Sequence, residues 1–218
     1  MAGTRVAIES GTKRTFASAL DWPGWSRSGR DERGALEALE RYAERYAVVP
    51  ETAGVGFAKK AAAELEVIER QRGGAATDFG VPEMHAEVEK RPMSKADLDR
   101  TCDLVAACWT VFDETVRKAP AELRRGPRGG GRDRDKIVEH VLGAELAYAG
   151  KLGVKLKQPE MGDRAGIAAH REALLGAIRA GADGKPMRER GWPARYAARR
   201  IAWHVLDHAW EIEDRSEG

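Results

Sequence analysis

The chain has 218 residues, of which 42% are hydrophobic and 33% charged, with a formal net charge of +2. That is mass enough for one large domain or two small ones with a real core, and the composition is that of a globular chain rather than a disordered one. The near-neutral balance argues against a nucleic-acid partner, and no apolar run suggests a signal peptide or approaches the length of a membrane span. Cys102 and Cys108 stand six apart on a predicted helix without a Cys-x-x-Cys. That argues against a disulfide or a cysteine metal site, and for a reducing cytoplasm as the compartment.

In chain order, Val6 and Ile8 alternate with polar neighbours and predict a strand. Ser10-Gly11 turns the chain into a second strand carrying Phe16 and Leu20, and Asp21-Trp22-Pro23-Gly24 turns it again toward a short third strand with Trp25. From Asp31, Leu36, Leu39, Tyr42, Ala43 and Tyr46 recur at helical steps, and Pro50 is predicted to close that helix. Leu65, Val67 and Ile68 predict another strand, and Thr77 to Val81 a further one joined through Gly73-Gly74. Residues 1–90 thus read as a small α/β unit, with Pro82 to Pro92 as the linker.

From Ser94 onward every ordered segment reads as helix. Ser94 and Asp97 resemble a capping box opening a helix through Lys118, followed by Pro120. Asp133 or Asp135 caps a second helix through about Leu152, where Gly153 stops it. A third runs from Asp163 to Ala180, ended by Gly181, and Pro193 fits the first turn of a fourth reaching about Asp214. Four such helices over residues 94–218 predict a four-helix bundle, and the whole chain an α+β fold.

Ile137, His140, Val141, Ala144 and Tyr148 share one stripe of the second bundle helix, and Ile201, His204, Val205, His208 and Ile212 one stripe of the fourth. All three histidines therefore point into the bundle, where helical metal sites are built. Neutral imidazole is a common ligand for borderline divalent ions, so His140, His204 and His208 are the candidate metal ligands, zinc favoured and nickel close behind. Core-facing histidines could equally hydrogen-bond to carboxylates. No glutamate follows His204, so the metalloprotease His-Glu-x-x-His reading fails. Trp203, Leu206 and Trp210 form a second apolar flank that could meet a neighbouring helix, the α/β unit or a second subunit in a homodimer.

The loop Arg124 to Lys136 alternates arginine with glycine. It lacks Gly-Lys-Ser/Thr and stacking aromatics, so it is neither a P-loop nor an RNA-binding segment of the usual kind. It is either a solvated connection or a device delivering Arg128 and Arg132 to the positive N-terminal end of the second bundle helix. His140 lies roughly 7–10 Å along the axis from that end. Arg128 and Arg132 are thus candidate binders of an anionic small-molecule substrate.

The segment Ile137 to Glu145 around His140, with His204-Val205-Leu206-Asp207-His208, resembles the DinB-like superfamily of four-helix bundles over residues 94–214. The resemblance implies one metal-binding histidine on the second helix and a His-x-x-x-His pair on the fourth. It also implies a metal-dependent enzyme, a transferase or hydrolase, acting on a small anionic or thiol-bearing substrate. Tyr148 is then the candidate catalytic or substrate-orienting hydroxyl. Asp207, Glu211 and Glu145 are candidate acceptors for imidazole N–H groups. Arg199 and Arg200 are expected to point away from the cation, and His170 to be a surface or packing residue. Residues 4–48, with Asp21-Trp22-Pro23-Gly24 and the helix after it, resemble the HicB-like fold, a β-meander with a packing helix. The rival class is a non-catalytic module binding protein or RNA, with structural histidines.

Overall fold

The computed structural model describes residues 3–58, 64–125 and 131–216. Three strands form an antiparallel meander: β1 (Thr4–Ser10), β2 (Thr15–Ala19) and β3 (Ser26–Gly29). A fourth, β4 (Leu65–Arg72), pairs parallel to β1 at the other edge, giving the order β3-β2-β1-β4. The β1–β4 register slips where Val6 faces Val67 and Ala7 faces Glu69, which leaves Ile68 as the extra residue of a bulge. The sheet is mixed, and the fold is α+β.

The turn expected at residues 21–24 is present, and packing fixes its shape. Trp25 is fully buried, donates from Nε1 to the Leu39 carbonyl at 2.9 Å and stacks on Tyr46 with ring centroids 5.5 Å apart. Tyr46 in turn donates to the Pro23 carbonyl at 2.9 Å. Gly24 takes φ +95°, and a Cβ there would stand 2.6 Å from the Leu206 side chain. Glycine is therefore required both by the backbone and by the close approach of the last helix.

Helix α1 (Glu32–Arg41) starts at Asp31, whose side chain accepts from the Gly34 amide. The apolar steps that read as one helix to Pro50 are split into α1, α2 (Ala43–Tyr46) and α3 (Val48–Thr52). Pro50 does not close a helix. It lies in the first turn of α3, where the N–H that proline lacks would have no partner inside the helix.

The strand expected over Thr77 to Val81 is also absent. Ala75–Phe79 is a single helical stretch, α4, stopped by Gly80 at φ 115°. Thr77 explains it: its hydroxyl accepts from the Gly74 amide at 2.9 Å and donates to Glu9 at 2.5 Å. A β-branched residue that looks suited to a strand is here used as a local cap.

Residues 82–92, expected as a linker, are held at several points. Glu9 accepts from the amides of Glu83 and Met84, Tyr196 donates to the Glu83 carbonyl, and a 3₁₀ turn spans Glu87–Lys90.

Four long helices follow, close to the expected bounds: α5 (Lys95–Lys118), α6 (Arg134–Lys151), α7 (Arg164–Ala180) and α8 (Ala194–Ser216). Ser94 caps α5 through the Asp97 amide, and Asp163 caps α7 through the Gly166 amide. Helix α8 packs against each of the other three. Its outer flank is covered by the N-terminal unit: Trp203 meets Phe16 at 6.0 Å and Trp210 meets Tyr42 at 5.1 Å. Buried apolar side chains from the sheet and the helices form one continuous cluster. Among the described residues no helix is long and apolar enough to cross a membrane.

Between the two parts lies a buried ion pair. Arg199 on α8 makes two bonds to the Glu89 carboxylate, at 2.6 and 2.9 Å, and further bonds to the Met84 carbonyl and Ser18. The two side chains are only 4% and 3% exposed. Removing one partner leaves the other charged and desolvated. Glu89→Ala is expected to lower unfolding free energy by about 3–5 kcal/mol in urea titrations. The double variant Glu89→Met/Arg199→Met should recover most of that loss, and a double variant as unstable as the single one would count against the explanation.

Candidate metal centre

His140 projects from α6 between the fully buried Ile137 and Val141, so the apolar stripe that anchors the helix also aims the imidazole. His204 and His208 project from consecutive turns of α8. Their ligand nitrogens and that of His140 all lie within 4.8 Å of one another. The Nε2 atoms of His140 and His204 are 3.2 Å apart. For 2.0–2.1 Å bonds a tetrahedral ligand shell has an edge of ~3.3 Å, so this pair already has the required separation. The two remaining edges both end on His208, whose ligand nitrogen lies within 4.8 Å of the other two.

The electrostatics favour neutral rings at His204 and His140. Burial pushes the His204 pKa well below its ordinary value, with further lowering from His208 and Arg200. His140 is shifted down by burial, then by His208 and Arg132. A neutral imidazole keeps a lone pair available to a cation. On the remaining ring, His208 Nδ1 stands 2.8 Å from Glu211 Oε2, and Arg215 bonds the other oxygen of the same carboxylate at 2.9 Å. A hydrogen bond from Nδ1–H to Glu211 would leave the Nε2 lone pair for a metal, as an outer carboxylate does in histidine–zinc sites.

Of the three acceptors considered from sequence, only Glu211 serves a histidine. Asp207 pairs with Arg27 at 2.9 Å. Glu145 lies away from the cluster, accepting from Trp109 Nε1 at 2.7 Å, with Arg171 at 3.7 Å. Tyr148 is present, its ring edge-on to His204 at 5.7 Å, and burial pushes its hydroxyl pKa up, so it remains a proton donor. Arg132 is described and its charge acts on both His140 and His204; Arg128 lies outside the described residues. His170 is buried, with Nδ1 3.3 Å from the Lys157 carbonyl. It packs apart from the cluster.

The expectation for the two arginines holds for one of them. Arg199 turns to Glu89, but Arg200 lies over the rings of Tyr148, at 5.4 Å, and Trp203, at 4.6 Å. Arg200, His204 and His208 follow the i, i+4, i+8 rule, so the sequence carried this signal. Arg215, one turn beyond Glu211, carried a similar one. A separate cleft of about 720 Å³ between α5, α6 and α7 is lined by Phe112, Leu142, Ile167 and Arg171 and includes none of the three histidines. Comparison with protein-family models, curated proteins and solved structures finds no match to this chain.

Glu145 gives a pH signature separable from the histidines. Burial raises its pKa to about 7, against partial lowering by Arg171 and Trp109. The folded state therefore holds this proton more tightly than the unfolded chain. The stability it confers is complete below the ordinary carboxylate range and is lost as pH rises through about 7. Glu145→Gln keeps an acceptor for Trp109 but cannot ionise. Its stability relative to wild type should rise between pH 4.5 and 8, by ~3 kcal/mol at most, in paired urea titrations. A constant difference across that range would refute the assignment.

Proposed function

We propose that the chain is a DinB-like metal-binding protein in which His140, His204 and His208 hold one divalent ion, zinc by ligand type with nickel also suited. The observation that carries this reading is the convergence of three ligand nitrogens within 4.8 Å, one of them oriented by Glu211. The helix order supports it too: one histidine on the second long helix and an i, i+4 pair on the fourth. The meander with its packing helix is in keeping with a HicB-like N-terminal unit. Free, buried Cys102 and Cys108 accord with a cytoplasmic protein.

Three imidazoles leave at least one coordination position open, the arrangement of a catalytic rather than a closed structural site. We infer a metal-dependent enzyme, a transferase or hydrolase, acting on a small anionic or thiol-bearing molecule. A bound zinc ion supplies Lewis acidity at neutral pH. The positive charge of Arg132 adds to the lowering of the His140 and His204 pKa values, a field that favours an anion. Tyr148, largely buried and protonated, can donate a hydrogen bond to a substrate oxygen.

Protein purified without a histidine tag and dialysed against zinc should retain one ion per chain by elemental analysis. His204→Ala should abolish retention. Glu211→Ala should keep the stoichiometry but weaken affinity ~10–100-fold in competition with a chelator. Zinc retained equally by wild type and His204→Ala would remove the basis of the proposal, as would no retention by either.

A further inference from the structure

The row that carries His204 and His208 along α8 begins one turn earlier, at Arg200, and α6 faces it with His140, Ala144 and Tyr148 at the same spacing. The two rows meet along their length. His140 lies against His204, Tyr148 sits edge-on to His204, and the Arg200 guanidinium lies over the Tyr148 ring with Trp203 on another side. Ala144 is the small residue between His140 and Tyr148.

Arg200 is only 7% exposed, and its Nη1 is enclosed without a hydrogen-bond partner among the described residues. None of the buried carboxylates bonds Arg200: Glu89 is held by Arg199, Glu145 by Trp109 through one oxygen with Arg171 at 3.7 Å, and Glu9 by Thr77 and two backbone amides. A guanidinium N–H enclosed without an acceptor is unfavourable, and aromatic faces offset only part of that. Arg199, one residue away, has a partner for each of its three nitrogens.

We propose that Arg200 and Tyr148 form a carboxylate-binding subsite beside the three histidines. The planar guanidinium fork matches a carboxylate, and the Tyr148 hydroxyl can add a donor to the same group. One turn, roughly 6 Å along the axis, separates Arg200 from His204. The ligand is therefore a short acid whose second donor, an oxygen or sulfur a few bonds away, reaches the imidazoles, as in 2-hydroxy, 2-oxo or 2-mercapto acids. The second contact rests on the metal reading of the histidines; the first does not.

The test uses the full chain loaded with cobalt(II), whose visible absorption reports donors at the imidazoles, titrated with mercaptoacetate and with its methyl ester. Wild type should bind the acid at least about tenfold more tightly than the ester. Arg200→Gln should lose that preference at unchanged cobalt stoichiometry, Arg200→Lys should retain part of it, and Tyr148→Phe, which keeps the ring, should reduce it severalfold. A second measurement needs no metal: acetate, but not acetamide, should raise the melting temperature of the metal-free wild type and not that of Arg200→Gln. Equal affinity for acid and ester, or a preference that survives Arg200→Gln, overturns the subsite. Failure to take up cobalt would sink the metal reading alone, and the acetate comparison then decides the subsite, with no selective stabilisation counting against it.

Discussion

The bidentate contact between Arg199 and Glu89 sets the rotation of α8, and the arrangement of both halves depends on that rotation. Arg199 points toward the sheet and the 3₁₀ turn at Glu87–Lys90, so residues about 140° around the helix point toward α6. His204 is five positions on and takes that direction. A buried ion pair is a weak source of net stability, but its geometry is restrictive, because few orientations satisfy every donor once water is excluded. Met84 and Ser18 accept further bonds from the same guanidinium, which narrows the choice again.

Helix α8 is buried over nearly its whole length up to Leu206, on all sides. One side receives Phe16, Tyr42 and the Gly24 turn; another faces α6 and carries the histidines. The N-terminal unit thus covers the apolar flank formed by Trp203, Leu206 and Trp210. It acts as the back wall of the histidine cluster, and among the described residues it adds no ligand to it. Position on a helix packed on all sides also limits how far the His204 imidazole can drift, which is what a metal centre built from side chains requires.

What the sequence made legible was local. The ends of the long helices followed from Ser94, Asp163, Gly181 and Pro193, residues that act on backbone groups within a few positions. The three histidines followed from period alone. The failures share a cause, which is that the deciding partner lies far along the chain. Thr77 caps a helical turn and bonds Glu9, 68 residues away, and the 82–92 segment is tied down by Glu9, Tyr196 and Arg199. Pro50 misled because the apolar steps run on through two breaks in the helix. Arg200 stood in the right row, but a positive charge beside a candidate cation site argued against it, and only the absence of a partner for its Nη1 among the described residues reverses that argument.

The parallel pairing of β1 with β4 has a consequence for how the molecule is made. Antiparallel strands can close as soon as the hairpin leaves the ribosome, but β4 reaches its partner only across the helical segment between them. The covering of the meander comes later still, since Phe16, Gly24 and Glu89 meet groups on α8. During synthesis the earlier chain must therefore hold apolar surface and an unpaired carboxylate in water until α8 emerges. Non-local closure of this kind slows folding and lengthens the interval in which aggregation competes. A ribosome stalled before α8 would display a nascent chain with its meander and helices made but no common core to join them.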